Sequence, residues 1–404
     1  MPERRDSTIV GRGLVVLAVL VACCSCEESR RPAVTPQLKE ATAAPARVSK
    51  PPAKKYERQV LSRVYHVDKI YKSMTGPNST DNILLKDSKE PELLWITGFE
   101  ARMVAADGKT EMPQQYMCHT NLDVDPEKYM DRFAGGRSIS GRLFTLSQGQ
   151  YRIDFPKGYG IPIVSTQPLD LNTQVLNLNE REAKPDVRHQ VTVRFVRDVE
   201  LARPYVALYS AGVYGLKLLQ GPDGHHGVDH GKHDESHGPG CLPGANASNN
   251  EFEDGQGRTF TGHWVVKPGR EVNHTRVTEI LNLPYDTTLH YIAVHLHPFA
   301  SSMALRDLTT DKIVWRGHTR QLKGGVGLEQ VDFLSSEKGV PLFKGHEYEV
   351  ESVYENTSGA DQDSMAVFNL YLRDMDFQKP DLSVRLTAPS ATASGSPTAG
   401  DPPM

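Results

Sequence analysis

Short runs in which apolar and polar residues alternate recur along the middle of this chain. That period of two is what most limits the folds open to it. Gln190-Val-Thr-Val-Arg-Phe-Val196 alternates, and so does His290-Tyr-Ile-Ala-Val-His-Leu-His297. Lys312-Ile-Val-Trp315, Tyr348-Glu-Val-Glu-Ser-Val-Tyr354 and Ala366-Val-Phe-Asn-Leu-Tyr-Leu372 follow the same rule. Successive side chains of a strand point to opposite faces, so each run describes a strand with one buried side. Turn signals such as Pro156-Lys-Gly158 and Lys267-Pro-Gly269 separate the runs. No alternation of strands with long helical stretches is present, which excludes a parallel α/β sheet. The expected class is all-β: two antiparallel β-sandwich (jelly-roll) domains in tandem, residues 59–202 and 203–378. Tyr is the commonest aromatic, at 15, and 33 Gly and 27 Pro suit a turn-rich chain of this kind.

The ends read differently. Arg4, Arg5 and Arg12 precede an apolar run from Leu14 to Ala22, which closes as Leu20-Val-Ala22-Cys23. A basic start, a short apolar run and a small-residue end describe a secretory signal over residues 1–23, too short to span a bilayer well. The closing tetrapeptide resembles the lipobox of bacterial lipoproteins, which implies lipidation at Cys23. The expected location is the bacterial cell envelope, exported and held on a membrane by the N-terminal lipid. Residues 24–58 are rich in Ala, Pro, Lys and Arg and read as a disordered tether. Residues 379–404 read as a disordered tail. With 46 basic against 50 acidic residues, the chain lacks the basic excess that a nucleic-acid partner requires.

Residues 221–258 interrupt the strand pattern with Gly, Asp, Asn and histidines 225, 226, 230, 233 and 237. This is a long surface insertion whose imidazoles either sequester divalent ions or form a solvated tract. Cys241 lies within it. Export to an oxidising compartment allows a Cys118–Cys241 disulfide, though spacing cannot assign pairing.

One motif carries chemistry. In a strand, His295 and His297 leave the same face side by side, a geometry suited to one metal ion or to a plain polar face. Met365 opens the final strand of the domain, either as core packing or as a soft ligand. A thioether with two imidazoles selects copper over zinc or magnesium.

The stretch from Thr261 to Asp374 resembles the C-terminal domain of the copper type II, ascorbate-dependent monooxygenases, the family of peptidylglycine α-hydroxylating and dopamine β-monooxygenases. Its signatures come in the family's order. They are Trp264-Val-Val-Lys-Pro-Gly-Arg-Glu-Val272, Tyr291-Ile-Ala-Val-His-Leu-His297, Met303-Ala-Leu-Arg-Asp307 with Lys312-Ile-Val-Trp-Arg-Gly317, Gly345-His-Glu-Tyr-Glu-Val350, and Asp363-Ser-Met365 with Asn369-Leu-Tyr371. The resemblance implies that His295, His297 and Met365 hold a catalytic copper. It also implies O2 and ascorbate, or another reductant, as co-substrates for hydroxylation of a small-molecule or peptidic substrate. In the first half Phe155-Pro-Lys-Gly-Tyr-Gly160 resembles a family segment, and Gln115-Tyr-Met-Cys118-His119 falls where the family carries paired histidines. Here the chain departs, offering Cys118-His119 for the pair and Asn179 for the third histidine. A second metal site at His119 and Cys118 is therefore one expectation, and a bridged Cys118 beside an ordinary His119 the other. Ala293 stands where the peptide-amidating enzymes carry an Arg that clamps the peptide carboxylate, so amidation is not expected. His263 precedes Trp264 and is a candidate neighbour of the metal. The remaining alternatives are a copper-binding lipoprotein without turnover, for storage, delivery or sensing, and a double sandwich that binds protein or glycan.

Overall fold

The structure is a computed structural model that describes residues 53–383, except 73–74, 134–138, 140, 183, 221–250 and 255. The expected signal segment with Cys23, nearly all of the tether, the His-rich tract with Cys241 and most of the tail lie outside these residues.

Among the described residues the chain forms twenty-four strands and two short α-helices. The first half holds β1 (Tyr56–Leu61), β2 (Tyr65–His66), β3 (Asn78–Ile83), β4 (Leu93–Ala105), β5 (Met117–Val124), α1 (Pro126–Arg132), β6 (Arg142–Ser147), β7 (Arg152–Asp154), β8 (Tyr159–Val164), β9 (Leu169–Val175) and β10 (Asp186–Arg197). The second half begins with β11 (Val206–Tyr214), β12 (Lys217–Leu218), β13 (Glu251–Glu253), β14 (Thr259–Thr261), β15 (Trp264–Val266) and β16 (Gly269–Arg276). It continues with α2 (Thr278–Leu281), β17 (Thr287–Leu296), β18 (Ala300–Asp307), β19 (Lys312–Gln321), β20 (Leu328–Val331) and β21 (Leu334–Leu342). It ends with β22 (Tyr348–Asn356), β23 (Gln362–Ser364) and β24 (Ala366–Arg373).

The class is all-β, and the alternating runs read from the sequence lie on β10, β17, β19, β22 and β24. Within β10, Val187, His189, Val191, Val193 and Phe195 turn inward while the residues between them are less buried. The sheet β3-β9-β5-β6 covers one side of the first core. The sheet β16-β22-β18-β19-β20 covers the second. Opposite both runs one continuous sheet, ordered β1-β10-β4-β8-β11-β24-β17-β21, with β2 and β7 on its flanks. The two halves join in it through a short parallel pairing, Val206 with Tyr159 and Ala207 with Gly160.

Face alternation on β17 and β24 then decides where the site lies. Ile292, Val294, Leu296, Phe368 and Leu370 bury into the second core. Each such side chain contributes roughly 1.5–3 kcal/mol when fully buried. Tyr291, Ala293 and Tyr371 occupy the opposite face and bury into the first core. The shared sheet is therefore sandwiched between the two cores at this point.

Polar contacts lock the seam. Gln150 Oε1 accepts the Val294 N–H at 2.7 Å, and the Tyr371 hydroxyl donates to the Leu143 carbonyl at 3.0 Å. The Val331 N–H donates to the Gly149 carbonyl at 3.0 Å. Gly149 has φ +84°, and a Cβ there would come within 2.7 Å of Val331 Cγ2, so only glycine permits this approach.

Candidate metal site

His295 occupies the penultimate position of β17, opposite Val367 of β24. His297 follows the strand end, and its backbone N–H donates to the Met365 carbonyl at 3.3 Å. Continuing the alternation past Tyr291 and Ala293 places His295 on the face turned toward the first sandwich. Met365 packs with Val367 and Tyr214 as a small cluster separate from the second core. The structure thus brings His295, His297 and Met365 together at one end of the shared sheet, where the face that covers the first core runs out. The His295 and His297 ring centroids are 5.3 Å apart and nearly perpendicular, at 84°. His263, immediately before β15, sets its ring 5.6 Å from that of His297, with Nε2 3.7 Å from an Asp363 carboxylate oxygen.

The electrostatics favour neutral imidazoles. Burial holds His295 well below the usual histidine range, and the neighbouring His297, His119, Arg142 and His263 push the same way. Burial also lowers His297, against the opposing pull of Asp363 and Cys118. A neutral imidazole offers the lone pair that metal coordination needs. The Nδ1 atoms of both His295 and His297 are buried without a hydrogen-bond partner among the described residues. A buried polar atom left unmatched costs about 1–3 kcal/mol. Two such atoms, on adjacent inward-facing imidazoles beside a thioether, are what a soft-metal site requires of its protein. The donor set therefore fits copper. Among the described residues no three His, Cys, Asp or Glu side chains group as a metal site by themselves.

Cys118 and His119 lie on β5, both buried. The ladder with β9 is irregular between Met117 and His119, so Cys118 falls out of strict alternation. Both residues bear on the His297 imidazole, and His119 also bears on His295. The first-sandwich pair thus sits beside the second-sandwich histidines. Cys241, its expected disulfide partner, is outside the described residues. Asn179 has a different task. Its Oδ1 accepts the Val326 N–H at 2.7 Å and its Nδ2 donates to the Val326 carbonyl at 3.0 Å. An amide can do both at once, whereas an imidazole cannot offer a donor and an acceptor side by side.

Beside the site a cleft of about 250 Å³ opens between the halves. Ile70, Lys72 and Leu178 line it from the first, and Pro298, Val326 and Asp363 from the second. Pro298 follows His297 in sequence and Asp363 lies two residues before Met365, while none of the three candidate ligands itself lines the cleft.

One buried histidine next to His119, outside the candidate ligand set, escapes a reading of the sequence. His189 is fully buried in the first core, and its Nδ1 pairs with the Thr120 hydroxyl at 2.8 Å. Its phase with Val187 and Val191 was the available signal. Other histidines are peripheral: His274 meets Glu349 at 2.9 Å and His346 meets Asp307 at 2.7 Å.

No protein-family model matches the chain, and no curated protein matches it in sequence. Similar solved structures include the STIV MCP, at 9% identity and TM-score 0.28, covering 79% of this chain and 97% of that one. The major capsid protein P2 from bacteriophage PM2 aligns at 8% identity and TM-score 0.28, covering 79% of this chain and 100% of that one. PNGF-II aligns at 7% identity and TM-score 0.32, covering 79% of this chain and 65% of that one. Likeness this loose carries no argument about the chain.

Proposed function

We propose that this protein is a copper-dependent monooxygenase-like oxidoreductase, with His295, His297 and Met365 as its metal ligands. Two imidazoles whose Nδ1 atoms are buried and unmatched, both held below the usual histidine pKa by burial, next to the buried Met365 in the fold, carry the reading. A soft sulfur donor with two nitrogens favours copper, and Cu(I) especially. Bound there, copper would supply O2 activation for hydroxylation: substrate C–H, O2, two electrons and two protons giving C–OH and water. Ascorbate or a similar reductant would provide the electrons.

The chain's own residues define the rest. Burial keeps His295 and His297 unprotonated, so ligand binding displaces no proton from them near neutral pH. The seam contacts from Gln150, Gly149 and Asn179 hold the cleft walls in register. The cleft admits a small molecule or the end of a peptide, with apolar surface from Ile70, Leu178 and Pro298. Ala293 is fully buried against the first core, so no carboxylate clamp faces the cleft from that position. The same reading takes the chain as an exported lipoprotein anchored through Cys23.

A second reading, copper binding without turnover, draws on Asn179. That residue is committed to Val326, in the place where the resembling family carries a ligand of its electron-transfer copper.

The test is a count of tightly bound copper in the full-length chain, purified in detergent and loaded under reductant. The wild type is compared with a His297→Ala, Met365→Ala double variant. We expect the count to fall by one, and ascorbate-driven O2 uptake to fall with it. Copper loss without any wild-type O2 uptake would favour the non-catalytic reading. Equal copper in the two proteins would remove the site altogether.

A further inference from the structure

The placement of Met365 is unusual for a strand residue. It is the single residue between β23, which pairs with β15, and β24, which pairs with β11 and β17. The chain passes there from one sheet to another, so Met365 takes no place in either ladder. Its orientation must come from other contacts. Two groups converge on its carbonyl: the His297 N–H at 3.3 Å and the Tyr354 hydroxyl at 2.7 Å.

Tyr354 lies on β22 and is 1% exposed. Its ring meets Trp264 edge-on at 5.9 Å, and Trp264 in turn accepts the Ser364 hydroxyl at its carbonyl, 3.1 Å away. The hydroxyl therefore reaches Met365 from the second core, on the side away from His295. The Met365 side chain packs on the other side, with Val367 and Tyr214. A carbonyl pinned from within the core sets the backbone rotation at this crossing, and that rotation sets where the thioether goes. The shorter of the two bonds is the one from Tyr354.

We infer that Tyr354 is the positioning residue for the Met365 sulfur, acting through the Met365 carbonyl to hold the thioether against the two imidazoles. This rests on the copper reading of His295, His297 and Met365. Outer-shell hydrogen bonds that orient a ligand are worth about 10- to 100-fold in metal affinity. Removing the Tyr354 hydroxyl leaves the carbonyl only the longer bond from His297, so it can turn and carry the sulfur away from the imidazoles.

The test is Tyr354→Phe in the full-length chain, which keeps the ring and its contact with Trp264. Cu(I) affinity is measured by chelator competition, and the sulfur scatterer by X-ray absorption of the copper-loaded protein. Met365→Ala is the reference for a lost sulfur, and thermal unfolding of the metal-free proteins monitors the fold. The expected result is a sulfur signal reduced toward that of Met365→Ala, with affinity lowered about tenfold or more. A merely structural tyrosine would lower the unfolding temperature and leave the sulfur signal at its wild-type amplitude. That outcome, or unchanged affinity, overturns the inference. If wild-type copper shows no sulfur scatterer and does not depend on His297, the copper reading itself has failed and the inference falls with it.

Discussion

His189 makes the stability of this protein depend on pH in a calculable way. The ring is 0% exposed and packs edge-on to Tyr65, with centroids 6.0 Å apart. Its backbone N–H donates to the Ser62 hydroxyl at 3.0 Å. Burial, reinforced by the nearby His119, lowers its pKa from 6.5 to about 3, against a smaller opposing pull from the Gln174 backbone. Above pH 6.5 the ring is neutral in both the folded and the unfolded chain and contributes no pH dependence. Below pH 6.5 the unfolded chain takes up a proton that the folded chain refuses, so stability falls until the pH nears 3. Each pKa unit corresponds to about 1.4 kcal/mol, so the loss reaches about 2 kcal/mol at pH 5 and about 5 kcal/mol over the whole window. The perturbation is His189→Asn, which can retain a hydrogen bond to Thr120 while removing the titrating ring. The smaller side chain lowers stability at every pH, and that offset cancels in the comparison. Denaturant unfolding at pH 7.5 and pH 5.0 should show the wild type losing about 2 kcal/mol more than the variant. His290, His295 and His297, also shifted downward by burial, titrate in both proteins and drop out of the difference. Equal losses in the two proteins would refute the claim that His189 is held neutral by its surroundings.

Two further expectations follow from the seam and the site. Asn179→Ala removes both hydrogen bonds to the Val326 backbone and should cost about 1–3 kcal/mol, read from the shift in denaturant midpoint at constant slope. Because the His295 and His297 pKa values are already depressed, Cu(I) affinity measured by competition should change less than about twofold between pH 7.5 and 6.5. A site of ordinary histidines, with pKa near 6.5, would weaken by about twofold for each imidazole over that step.

Much of the strand content was legible because its cause is local. The alternation in Gln190–Val196 states which side of β10 is buried, and the structure buries that side. His290–His297 and Ala366–Leu372 read as one-sided in the same way, but β17 and β24 are buried on both faces because each half of the molecule covers one of them. The same alternation implied that His295 and His297 share a face. Where both faces of a strand are buried the signal vanishes: every residue of β5 is buried, so nothing in Met117–Val124 announces how Cys118 and His119 are directed. The parallel pairing of β8 with β11 was illegible for another reason. It rests on two residue pairs far apart in sequence, with no turn or pattern to mark them. Asn179 could be placed by register, but its engagement with Val326 depends on a loop 147 residues away. Tyr354 read as one more aromatic on an alternating strand, and only the crossing at Met365 gives its hydroxyl a role.

The position of β24 has a consequence for how the molecule is made. This strand lies between β11 and β17, yet it is the last of the described strands in sequence. A nascent chain that has delivered everything up to residue 360 still has a slot in its largest sheet, bounded by two open edges. Such edges invite pairing with other chains, and contacts this distant in sequence form slowly. Met365 arrives just ahead of the strand that fills the slot, so completion of the sheet and completion of the proposed ligand set are one event. A chain cut short before that strand has neither.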